Sequence, residues 1–166
     1  FTYTIDDGHG LTATATVNVT VTDLVSLLWR QGQNGYSGAV DTYVTSSDPD
    51  ASFGSSLVLQ VLPTVGTQAL LRFNDLFGTA PGQIPPGAEI AVAYLAFWLD
   101  NGVSDLGGLR ILEDWSAADT YNTVTDAIDF NGAFYRQGVP AGWQFENVTQ
   151  ALLDWQENPS TNFGWM

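Results

Sequence analysis

The chain contains no cysteine and no lysine, one histidine, and one methionine, which is its last residue. Without Cys there is no disulfide scaffold and no thiolate metal or redox site. His9 stands alone in a Gly-flanked turn. Ser-His-Asp, Cys-His and Lys-based mechanisms therefore lack their parts. Paired carboxylates (Glu89, Glu113, Asp114, Asp119) would serve a glycosidase, but the chain reads as a non-enzyme. Basic charge is scarce. Four Arg face eighteen acidic residues, a net charge of -14, which excludes nucleic acid and anionic membrane as partners. No apolar run approaches the length that spans a bilayer, and no signal peptide is visible. With Met only at position 166, the natural polypeptide is expected to be longer at both ends.

What is present begins with a strand pattern. From Leu11 to Thr22 every odd position is apolar (Leu11, Ala13, Ala15, Val17, Val19, Val21), and every even position is Thr or Asn. That is a strand with one face to bury. With Phe1–Ile5 and the turn Asp6–Gly10 it predicts a β-hairpin, which by itself is marginal in water and needs a sheet elsewhere. Residues 1–23 form this hairpin or donor-strand extension. Residues 24–40 are an apolar patch followed by a Gly-rich linker, and residues 41–166 are the main domain.

Short strands are expected there at Asp41–Val44, Leu57–Val61, Ala69–Phe73, Glu89–Leu99, Gly108–Leu112, Ala133–Tyr135 and Trp143–Phe145, punctuated by Gly, Pro, Asn and Asp. Val148, Ala151, Leu152 and Trp155 recur at helical spacing within Glu146–Gln156, and Asn158-Pro159 stops that helix. The expected fold is all-β, a β-sandwich or jelly roll with an N-terminal extended hairpin and one short helix.

Asp41-Thr-Tyr-Val44, Phe53-Gly-Ser-Ser-Leu57, Leu70-Leu-Arg-Phe73, Gly87-Ala-Glu-Ile90, Ala93-Tyr-Leu-Ala-Phe-Trp98, Asp114-Trp-Ser116, Thr120-Tyr-Asn122, Trp143-Gln-Phe-Glu-Asn-Val-Thr149, Leu153-Asp-Trp155 and Asn162-Phe-Gly-Trp165 follow one another in order. Together they resemble the DNRLRE-type domain of secreted prokaryotic proteins. The resemblance implies an extracellular β-sandwich, some of whose relatives resemble carbohydrate-binding modules. Asn147 stands where the family usually has Asp, and the family continues past Gly-Trp with a final pair of strands. The N-terminal hairpin resembles the last two strands of bacterial cadherin-like or immunoglobulin-like repeats.

An N-terminus with spare strands beside a sandwich short of them suggests strand addition between copies. Such a contact is head-to-tail and propagates as a homopolymeric filament. The apolar face from Leu11 to Val21 would dock. Two alternatives stay open: the hairpin closes an ordinary upstream repeat, or the chain is a carbohydrate-binding and adhesion module with a polysaccharide partner.

Calcium is the expected cofactor, held by oxygen ligands from Asp41, Asp48, Asp50, Asp126, Asp129 and Asn131, although Asp and Asn also favour turns for their own reasons. Trp115, Tyr121, Phe134 and Tyr135 fall near loops and are candidates for sugar stacking, against the alternative of core packing. Trp98 and Trp155 lie inside regular patterns and are expected to be structural. Asn18 and Asn147 begin sequons and are candidate glycosylation sites.

Overall fold

The computed structural model describes residues 2–18, 24–124 and 126–166, without the side chains of Pro63, Asn131 and Gly132. Its elements are β1 (Thr2–Asp6), β2 (Thr12–Thr16), β3 (Ala39–Val44), β4 (Gln68–Phe73), β5 (Tyr94–Leu99), β6 (Val103–Ile111), β7 (Ile128–Val139), β8 (Gly142–Asn147) and the helix α1 (Thr149–Glu157). The fold is all-β with one short helix.

Strands pair antiparallel as β1–β2, β3–β4, β5–β8 and β6–β7. The last four residues join two of these pairs into one sheet. Trp165 exchanges both backbone hydrogen bonds with Leu71 of β4, at 2.9 Å each, and Met166 exchanges both with Leu109 of β6, at 2.8 Å. The order across this sheet is β3, β4, the 163–166 segment, β6, β7. Gly164 makes the join possible. Its φ is +78°, a conformation side chains resist, and a Cβ there would lie 2.1 Å from the Leu71 carbonyl oxygen.

The two faces of this sheet are covered differently. On one, β5 and α1 contribute Leu95, Phe97, Ala151, Leu152 and Trp155 to a cluster with Leu71, Phe73, Trp165 and Phe134. On the other, Trp115 packs with Val44, Leu70 and Ile111. The helix forms where its periodicity predicts. Asn147 Oδ1 accepts the Thr149 N–H at 3.0 Å, and Ala151, Leu152 and Trp155 make its buried face. Arg110 of β6 clamps the layers, donating to Asp129 of β7 and to Asp154 of α1. Burial works against its charge, but the bonds to Asp129 and Asp154 outweigh that and raise its pKa.

Several expectations are corrected. Leu57–Val61 is not a strand; Leu57 is fully exposed, and among the described residues no strand pairs with that segment. The strand expected over Glu89–Leu99 begins only at Tyr94. Within residues 24–40, read as a linker, two aromatic side chains make contacts beyond the segment. Trp29 Nε1 donates to the Gly82 carbonyl at 3.0 Å and packs against the main cluster. Tyr36 stacks on Phe73 and donates to the Asn74 carbonyl at 2.8 Å. Burial, with the negative charge of Asp75, pushes the Tyr36 phenol up to about 12.

Candidate functional site

Two surfaces present chemistry outward. The first is the β1–β2 hairpin, whose described residues 2–18 are all exposed. Its register pairs Tyr3 with Ala15 and Ile5 with Ala13, and between them Thr4 with Thr14 and Thr2 with Thr16. Alternation therefore separates the faces. Tyr3, Ile5, Ala13 and Ala15 share an apolar face, to which the phase of the pattern adds Leu11 and Val17. The threonines line the opposite face, with Thr4 and Thr14 hydroxyls 2.9 Å apart. The turn is held by its aspartates. Asp7 Oδ1 accepts the N–H groups of His9 (2.8 Å) and Leu11 (3.0 Å), and these bonds hold its carboxyl below the usual carboxylate range. Val19 and Val21, expected on the apolar face, lie outside the described residues. Asn18 is exposed.

The second surface is the outer face of the β5–β8 pair. The register sets Ala96 opposite Phe145 and Trp98 opposite Trp143. Tyr94, Trp98, Trp143 and Phe145 therefore share one face, each 57–59% exposed. Trp98 and Trp143 meet edge to face, centroids 5.9 Å apart and planes at 82°. Trp143 and Phe145 lie 6.3 Å apart at 32°. Trp98 Nε1 donates to Asp100 Oδ1 at 3.0 Å, which fixes that ring. Among the described residues neither β5 nor β8 has a ladder partner on its far edge.

The inward residues of β8 explain why aromatics point outward. Gln144 and Glu146 are buried; Arg136 of β7 donates to Gln144 Oε1 at 3.2 Å and to Glu146 Oε1 at 2.9 Å. Turning β8 over would strip a buried carboxylate of its cation. Trp98, expected to be structural, is thus on the surface. The sequence signal was present as alternation, but Trp-Gln-Phe-Glu reads naturally with its rings inward.

The expected sugar-stacking residues are scattered. Trp115 is 4% exposed, its N–H donating to the Phe163 carbonyl at 2.7 Å and its ring under the Arg72 guanidinium at 5.2 Å. Both contacts make it a core residue. Phe134 packs into the main cluster. Tyr121 is exposed on a turn. Tyr135 is exposed, and its hydroxyl donates to Asp105, whose carboxyl that bond lowers in pKa.

The expected calcium ligands are also dispersed. Asp41 is exposed within β3, and Asp48 and Asp126 are exposed in connections. Asp50 accepts from Asn122 Nδ2 at 2.8 Å. Asp129 answers Arg110, and the Asn131 side chain lies outside the description. Among the described residues no three His, Cys, Asp or Glu side chains converge on a point, and no helix is long and apolar enough to cross a membrane. Asn147 is exposed, and its Oδ1 accepts the Thr149 N–H at the start of α1. No protein-family model matches the chain, and no curated protein matches it.

Proposed function

We propose that the protein is a non-catalytic structural element of an extracellular assembly, whose copies join head to tail by adding the β1–β2 hairpin of one to a sheet of the next. One observation carries the reading: a hairpin with every described residue exposed displays a wholly apolar face. Two strands alone are marginal in water, so such a face calls for a sheet. The β5–β8 pair supports a matching acceptor. It has two strands opposite a sheet of four strands bridged by the 163–166 segment, and both its outer edges are open among the described residues. Main-chain bonds at such an edge supply affinity and the alternating side chains supply register. A contact between different patches of two copies propagates instead of closing. Calcium enters as a counter-ion that screens the charge of -14 between approaching copies.

Electron microscopy and sedimentation across a concentration series test this. The full chain should form polymers, and Val17→Asp or removal of residues 1–23 should leave monomers with an unchanged main-body melt. Polymers that persist without residues 1–23 would sink the reading.

A further inference from the structure

We propose that the free edge of β5, and not that of β8, receives the hairpin of the next copy. The β2 strand lies antiparallel to β5, with its apolar face turned in and its threonines out. The inference rests on the assembly proposed above and names its acceptor strand, direction and face.

Main-chain phase fixes which groups each edge offers. In an antiparallel pair, residues that exchange hydrogen bonds alternate with residues whose N–H and C=O point away from the partner. Ala93 accepts from the Val148 N–H at 3.0 Å and donates its own N–H to Thr149 Oγ1 at 2.9 Å, so its main chain faces β8. The register runs on from there without a shift. Leu95, Phe97 and Leu99 therefore face β8 as well, while Tyr94, Ala96 and Trp98 turn their N–H and C=O groups to the free edge. In the hairpin, the Asp7 N–H donates to the Leu11 carbonyl at 3.1 Å. Counting along that register leaves Thr12, Thr14 and Thr16 facing outward from β2. Residues bonded across an antiparallel ladder carry their side chains on one face. Joining these two edges thus sets the threonines beside Tyr94, Ala96 and Trp98 on the outer face. Ala13 and Ala15 go inward, level with Leu95 and Phe97. A parallel ladder shifts the pairing by one residue and would turn the hydroxyls inward.

What lies beneath each edge chooses between them. Phe97 and Leu99, which point inward from β5, are only partly buried, so β5 has apolar surface still to cover. Gln144 and Glu146, which point inward from β8, are already buried. An apolar face laid beside β8 would border the Arg136–Glu146 ion pair, in which the Arg136 side chain is still 44% exposed, and taking that charge out of water is costly. Beside β5 the same face joins the cluster that holds Leu95 and Phe97. Charge agrees. Neither β2 nor β5 contains a charged residue, whereas β1 ends on Asp6 and β8 contains Glu146. On a chain of net charge -14, two neutral strands meet without setting carboxylate against carboxylate.

The test is amide hydrogen exchange of the full chain, read residue by residue in the polymer and in the Val17→Asp monomer. On polymerisation the N–H groups of Tyr94, Ala96 and Trp98 should slow roughly tenfold or more, and those of Trp143, Phe145 and Asn147 should not. Ala96→Pro removes one edge donor at a place where an edge strand tolerates proline; it should give monomers that melt as the parent does. Phe145→Pro, its counterpart on β8, should still polymerise. The inference is overturned if protection falls on Trp143, Phe145 and Asn147 instead, or if Ala96→Pro folds and polymerises as the parent does. If Ala96→Pro does not fold, the exchange pattern of the unaltered chain decides alone. Polymers that need residues 1–23 yet ignore Ala96→Pro defeat only the choice of β5; polymers that persist without residues 1–23 defeat the assembly itself.

Discussion

Gly164 and Asp114 show how far single residues control this molecule. Gly164 lets the 163–166 segment lie against β4, and Gly164→Ala meets both a positive φ and a backbone oxygen 2.1 Å from the new Cβ. The conformation alone costs about 1–3 kcal/mol, and the overlap adds to it, so urea unfolding should show a loss of at least ~2 kcal/mol. Asp114 is held below the ordinary carboxylate range by the Arg72 guanidinium, and Asp119 by the Ser116 N–H. Both pKa values are lower in the folded chain than in the unfolded one. Their stabilisation is thus complete above about pH 4, the unfolded value, and is lost as pH falls through the folded values. Melting temperature should drop on acidification below about pH 4, and Asp114→Asn should flatten that drop. Asp114 is largely exposed, so solvent keeps its share small. The sequence shows these residues but not their roles. Asp114 enters the sequence reading as one of several carboxylates, and only the approach of Arg72 from β4 makes it half of an ion pair.

At the scale of elements, α1 and the β5–β8 pair make opposite cases. The helix was legible: Val148, Ala151, Leu152 and Trp155 at helical spacing, with Asn158-Pro159 at its end, predict the element and its buried face, and the structure has Thr149–Glu157 with that face inward. Here propensity, periodicity and packing agree. In β8 the alternation was legible, but its phase was not. Trp143 and Phe145 face water because Gln144 and Glu146 meet Arg136, a residue on another strand. The two settings predict contrasting mutants. Trp155→Ala, which removes a 2% exposed indole touching Trp165 at 4.7 Å, should cost about 3–5 kcal/mol in chemical denaturation. Trp98→Ala should cost under about 1 kcal/mol. Acrylamide quenching gives a second check. Trp98→Phe and Trp143→Phe should each remove quenchable emission, and Trp155→Phe should not.

At the scale of the whole molecule, charge opposes contact between copies. With -14 on a chain of 166 residues, like-charged subunits repel at low ionic strength, and salt shortens that repulsion to about 8 Å at physiological strength. Self-association measured by sedimentation should therefore strengthen as sodium chloride rises from about 10 to 150 mM. Weakening with salt would mean that charge attraction, not apolar burial, joins the copies. The sequence by itself determined the all-β class, the single helix and its register, the apolar and threonine faces of the hairpin, and the exclusion of disulfides. These follow from local periodicity and from residue types that are absent. Only the tertiary structure decided that residues 163–166 run through the middle of a sheet, that Trp115 lies inside, and that Trp98 and Trp143 lie outside. Periodicity sets which residues share a face. Which face turns inward depends on partners far along the chain, and for β8 that partner is Arg136.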